Sequence, residues 1–313
     1  MLETLREKEA KGRTMTTEHK FGGNWTEIKL SRLQKYLKAY RQIFTQNEKA
    51  RFFKTWYVDA FAGTGSRTIS SPAPTSGNAL FEDVYEDRET TAYRDGSARI
   101  ALSLPEPFDH YLLIEQSKPR ITELQSAIGR DYPALSLRCD YRLGDANREL
   151  QAWCRERNWK KERAVVFLDP YGMQVEWRTV QALAATKAVD LWYLFPLGVG
   201  VSRLLTHKGD IDEGWQNRLD LLFGTTEWRT EFYKVERTQS LFGDDQEELR
   251  RDAPIKKIEA FIHNRLAGSF EAVAKGKVLR NSRSSPLYLL CFAAANKRGA
   301  ATALKIAQDI LDD

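Results

Sequence analysis

Four carboxylates close short apolar stretches or follow them directly. Asp59 ends Trp56-Tyr57-Val58, Glu115 ends Tyr111-Leu112-Leu113-Ile114, and Asp169 ends Ala164-Val165-Val166-Phe167-Leu168. Asp145 follows a stretch read as a strand over 135–139. An acid at one such junction caps a helix or shapes a turn as readily as it binds anything. Four at consecutive strand–helix junctions project over one sheet edge, where α/β proteins hold their ligands. A carboxylate accepts two hydrogen bonds, so Glu115 suits a ribose diol and Asp145 an adenine amino group. Phe61, Ala62, Gly63 and Gly65 follow Asp59 in a tight turn that lets a ligand lie against bare backbone. In Asp169-Pro170-Tyr171-Gly172, the aspartate could accept an amine N–H and the tyrosine could stack a base. Pro170 stiffens that turn and removes a competing donor. An ordinary D-P-x-G turn after a buried strand stays open as the other reading.

Positioning such groups takes a parallel sheet. The apolar runs at 56–58, 111–114, 135–139, 164–168 and 189–195 read as strands alternating with helices, an α/β fold with a doubly wound, mostly parallel sheet. A helix is expected over 26–44, with Leu30, Leu33, Leu37, Tyr40 and Phe44 at helical spacing and Lys29, Arg32, Lys35, Lys38 and Arg41 on a solvated opposite face. The long loop 66–95 beside the Gly turn is a lid candidate. Residues 1–20 read as a mobile extension, 21–197 and 269–313 as the α/β domain, and 198–268 as a helical insertion, with residues 228–235 helical. The runs 271–279 and 286–294 read as a C-terminal β-hairpin. Lys275, Lys277, Arg280 and Arg283 fall in a stretch of nine residues without an acid, and could form a phosphate-contacting ridge or a solvated turn. Lys160-Lys161 and Arg250-Arg251 read as surface, and Trp177 and Trp192 as core.

The 313 residues, 42% hydrophobic and 29% charged, suit one large or two modest domains. Three scattered cysteines fit reduced thiols and a cytoplasmic location. No Cys-x-x-Cys or His-Glu-x-x-His appears, so no metal site is expected. No stretch is long and apolar enough to span a membrane, and the charged N-terminus has no signal-peptide core. A net charge of +5 permits a nucleic-acid partner without demanding one. Thr68 stands where the dinucleotide fingerprint needs a third small residue, and no Lys follows Gly65 as a phosphate loop requires.

What remains, D-x-F-A-G-x-G over residues 59–65, resembles the first motif of class I S-adenosylmethionine (SAM) methyltransferases. The tetrad at 169–172 is similar to the (D/N)-P-P-Y motif of amino-methyltransferases, lacking the second proline. It is closer to the D-P-F-G of tRNA guanine dimethyltransferases. Over residues 20–312 the chain resembles the three-Cys-motif partner family (TcmP). The resembling pieces are F-G-G-N-W-T-x-x-K-L (21–30), Y-x-D-A-F-A-G-T-G (57–65), L-D-P-Y-G (168–172) and N-S-R-S-S-P-L-Y-L-L (281–290). The resemblance implies a methyltransferase-like fold, SAM as cofactor and a three-Cys-motif, radical-SAM-like protein as partner. It leaves the substrate undefined. Two functions stay open: methylation of tRNA, rRNA or DNA at an exocyclic amine of a base, and a non-catalytic scaffold for that partner.

Overall fold

The computed structural model describes residues 25–64, 96–238 and 246–313. The expected extension 1–20, the turn at 21–24, Gly65 and the loop 66–95 lie outside the described residues.

The chain runs α1 (Trp25–Gln46), β1 (Lys54–Asp59), α2 (Ser97–Leu102), β2 (His110–Glu115), α3 (Lys118–Asp131), α4 (Pro133–Ser136), β3 (Cys139–Leu143), α5 (Ala146–Glu156), β4 (Glu162–Leu168), α6 (Trp177–Ala185) and β5 (Val189–Phe195). A π-helical turn (Leu197–Ser202), α7 (Glu213–Phe223), α8 (Trp228–Glu231), β6 (Tyr233–Thr238), β7 (Gln246–Arg251) and α9 (Ile255–Ala267) follow. The described chain closes with β8 (Ala272–Val273), β9 (Lys277–Arg280), β10 (Pro286–Ala294) and α10 (Ala300–Asp312).

The main sheet has the order β3-β2-β1-β4-β5-β10-β8, with β9 also on β10. The first five strands are parallel, and β10 runs antiparallel to β5. The chain winds one way from β1 to β3, then reverses from β4 to β5. The switch point therefore lies between β1 and β4, and open α/β sheets bind ligands there. With the antiparallel β9–β10 hairpin on the far side of β5, the arrangement is class I methyltransferase-like.

Two hydrophobic layers sandwich the sheet. One joins its side chains to α5, α6, α7 and α9 through Leu150, Trp153, Trp177, Leu183, Leu219 and Ile262. The other joins them to α1, α2, α3 and α10 through Leu33, Tyr36, Leu37, Ala101, Leu124 and Ala307. Every residue of β5 is buried, and so is β4 from Ala164 to Leu168, as continuous apolar runs require of central strands. Trp177 and Trp192 are core, as read.

Five expectations need correction. The third strand lies at Cys139–Leu143, not at 135–139, where Pro133 starts a short helix. As an edge strand it is only half-buried and carries no apolar run. Residues 228–235 are helical only to Glu231. Tyr233-Lys234-Val235-Glu236 alternates with the period of a strand and pairs with β7 in a separate hairpin, so the insertion is not wholly helical. The run 271–279 is two short strands, and both pair with β10. Lys29, Arg32 and Arg41 are not on a solvated face. All three are buried on the stripe that α1 turns to the protein. Arg251, read as surface, reaches the Leu205 carbonyl at 2.9 Å and Ser202 Oγ at 2.8 Å, tying the hairpin to the π-helical turn.

Candidate active site at the switch point of the sheet

The strand ends deliver the carboxylates to one edge, because parallel strands in register end together. Asp59 is the last residue of β1 and Glu115 the last of β2, and Asp169 follows β4 directly. Asp145 lies two residues beyond β3, where it caps α5 and accepts the Arg148 N–H at 3.0 Å.

The turn after β1 is held from both sides. Gly63 has φ +59°, a conformation that favours glycine, and a Cβ there would meet nothing within 4 Å among the described residues. The glycine thus serves the turn and leaves open space above it. Its N–H donates to Glu115 Oε2 at 3.0 Å, while the Ser117 N–H donates to Oε1 at 2.8 Å. Each carboxylate oxygen keeps a second lone pair, which is what a ribose diol would need. The Ala62 N–H reaches the Ile114 carbonyl at 3.0 Å, locking β1's exit to β2.

Asp59 is completely buried. Its hydrogen bonds among the described residues come from neutral donors: Ser97 Oγ, the Phe61 N–H at 3.2 Å and the Tyr57 hydroxyl at 3.4 Å. Burial pushes its carboxyl up to about 6. The Ser97 bond opposes the rise, and the charge of Asp169 adds to it. Sealed in this way, Asp59 braces the turn and offers a ligand no direct contact, only its charge.

Asp169 accepts from Lys29 Nζ at 2.5 Å. α1 starts at the strands' C-terminal edge and ends at their N-terminal edge, where Arg41 donates to Thr55. Its first turn therefore hangs over the tetrad. Lys29 Nζ also lies 5.1 Å from the Trp25 ring centroid, and Trp25 stacks on Tyr288 of β10 at 5.0 Å. These contacts join residues from the motifs at 21–30, 168–172 and 281–290, and the charge of Asp169 on Asp59 adds the motif at 57–65.

The tetrad loop is braced from below. The Tyr171 N–H donates to Gln174 Oε1 at 3.0 Å, and Gly172 takes φ +73°. Buried Asn147 donates to the Gln174 carbonyl and accepts from the Glu176 N–H and from Thr179 Oγ1, each at 2.9 Å. Pro170 is buried, whereas the Tyr171 side chain is 48% exposed, with the Arg120 guanidinium 6.0 Å from its ring centroid.

The four basic residues near the C-terminus do not share one face. Lys277 and Arg280 alternate across β9; Lys277 acts on Asp313, and Arg280 and Lys275 on Glu259. Arg283 is exposed in the turn. Sequence reasoning missed Lys29 and Ser97. Lys29 had a signal, since 29, 33, 36 and 40 fall on one helical stripe. Ser97 had none, because its contact with Asp59 spans the long loop. Among the described residues no group of His, Cys, Asp and Glu is arranged to hold a metal, and no helix is long and apolar enough to cross a membrane.

No family model and no curated protein matches the chain in sequence, so the resemblance to the three-Cys-motif partner family rests on the four motifs. Solved structures similar to the chain include a protein from Legionella pneumophila, 12% identical, covering 78% of this chain and 93% of that one, with a TM-score of 0.39. Trm1 from Pyrococcus horikoshii, solved with S-adenosyl-L-methionine, is 10% identical over 91% of this chain and 72% of that one, with a TM-score of 0.35. An S-adenosylmethionine-dependent methyltransferase from Clostridium acetobutylicum is 9% identical over 85% of this chain and 92% of that one, also at 0.35. At these identities and TM-scores the likenesses carry no argument about ligand or reaction.

Proposed function

We propose that the chain is a SAM-dependent methyltransferase of nucleic acid, acting at an exocyclic amine of a base in tRNA, rRNA or DNA. The observation that carries this reading is the meeting, at the switch point, of the Gly63–Glu115 unit with Asp169 and exposed Tyr171. Glu115 would hold the ribose, Asp145 the adenine amino group, and the turn Phe61-Ala62-Gly63-Gly65 the amino-acid end of the cofactor. SAM, when bound, would supply an electrophilic methyl group. Asp169 would accept the N–H of the target amine and orient its nitrogen, whose lone pair is otherwise delocalised into the ring. Tyr171 would stack the base, with Arg120 beside it to meet a phosphate. Lys275, Arg280 and Arg283 add exposed positive charge beyond the site. The four motifs support membership of the three-Cys-motif partner family and hence a protein partner of that kind.

The test is transfer of labelled methyl from SAM into total tRNA, rRNA and DNA, with and without the partner. Label should enter one of the three. Asp169→Asn should then lower the single-turnover rate by roughly 10²–10³. Tyr171→Ala should weaken nucleic-acid binding by ~1–3 kcal/mol, and Tyr171→Phe should retain most of it. Label in none of the three, with a stable complex co-purifying, makes the chain a scaffold. Near-wild-type transfer by folded Asp169→Ala removes the role given to Asp169.

A further inference from the structure

Lys29 has no part in the roles assigned above, yet its side chain is 1% exposed and its ammonium meets Asp169 Oδ2 at 2.5 Å. A lysine loses its hydration on burial and persists there only against a fixed anion. Here that anion is the carboxylate heading the tetrad. The pair is one-sided: Lys29 is sealed inside, while the Asp169 side chain keeps 19% of its surface open. The charge of Asp169 in turn reaches Asp59 and Tyr57, both on β1 across the switch point. Without Lys29 the charge of Asp169, with that of buried Asp59 behind it, would act on the reacting centre with no cation among the described residues paired to Asp169. Such a pair would hold a cationic ground state tightly and raise the barrier to reaching a transition state in which that charge is lost.

We propose that Lys29 is the positioning residue of this site: its ion pair fixes the Asp169 carboxylate and offsets the negative charge felt at the reacting centre. The inference rests on the reading of Asp169 as the N–H acceptor beside the cofactor. It makes the first turn of α1 part of the active site.

The test compares two ligands by calorimetry. S-adenosylhomocysteine has a neutral thioether where sinefungin carries an amine that takes a proton, so the ratio of their affinities reads the charge at that point. Lys29→Met and Lys29→Gln should each shift the ratio towards sinefungin by about tenfold. Lys29→Arg should leave it near wild type, and adding Asp169→Asn to Lys29→Gln should remove the gain. A purely structural lysine would weaken both ligands together, and melting temperatures identify any variant that fails to fold. Lys29→Gln keeps a donor if Lys29→Met does not fold. An unchanged ratio in the folded Lys29 variants overturns the inference and leaves the function to the label-transfer assay. A gain that survives Asp169→Asn also overturns it, since Lys29 would then not act through Asp169. Binding of neither compound by the wild-type chain removes the cofactor reading and this inference with it.

Discussion

Glu115 Oε2 accepts the Gly63 N–H at 3.0 Å, so the carboxylate ending β2 and the turn leaving β1 are one unit. Its other oxygen accepts from Ser117, and two backbone donors thus converge on one side chain. Glu115→Gln keeps the shape but sets an NH2 donor against one of those N–H groups. Leaving one donor unsatisfied costs about 1–3 kcal/mol. S-adenosylhomocysteine affinity should fall by about tenfold or more, as read by calorimetry. Unchanged affinity would place the cofactor elsewhere.

Asp59 supplies a pH dependence. Burial, with Asp169 adding to it, pushes its carboxyl up to about 6, so its charge develops between pH 5 and 7. A ligand bearing an ammonium should bind more tightly as the pH rises through 6. S-adenosylhomocysteine titrated from pH 5 to 8 should show this rise in wild type and a flatter profile in Asp59→Asn. Identical profiles would remove Asp59 from cofactor binding.

Asp190, at the start of β5 and the far edge of the sheet, gives a stability test free of the site. Burial raises its carboxyl to about 7, against the opposing pull of the Tyr36 hydroxyl at 2.7 Å and of Arg163. The folded value lies above the ordinary carboxylate range, so the native state holds the extra proton. Stability is then full below pH 4 and is lost as the pH rises through 7. Asp190→Asn keeps an acceptor for Tyr36 and removes the charge. It should melt above wild type at pH 8 by roughly 2–4 °C per kcal/mol recovered. The gain should shrink towards pH 4, and scanning calorimetry at the two pH values decides it.

Asn147 ties the start of α5 to the segment that follows the tetrad, at Gln174 and Glu176, and to Thr179 of α6. Asn147→Ala leaves buried polar groups unpaired and should cost about 2–3 kcal/mol in urea unfolding. Asn147→Asp retains both acceptor bonds and should lose less. Equal losses in the two variants would mean that the bonds are not what holds that segment.

Much of this was legible in the sequence because each parallel strand carries its own mark. The runs at 56–58, 111–114, 164–168 and 189–195 are apolar on both faces, and an acid stands at or just beyond the end of three of them. The edge strand Cys139–Leu143 bears no such mark, since only one side has a neighbour and its residues stay half-exposed. The charge of Lys29 points to the solvated face of α1, while its spacing puts it on the buried stripe. A lysine belongs outside unless an anion waits for it, and Asp169 lies 140 residues further along the chain. Ser97 could not be paired with Asp59 for a similar reason, since they stand 38 positions apart.

The position of β10 has a consequence for synthesis. β5 is a fully buried strand, apolar but for Asp190, and the neighbour that covers its outer edge is β10, some ninety residues later. While the intervening residues are translated, the sheet β3-β2-β1-β4-β5 can already be in place with that edge open to any other strand. A nascent chain stalled before residue 286 thus carries a sticky border, which closes only once β10 has left the ribosome.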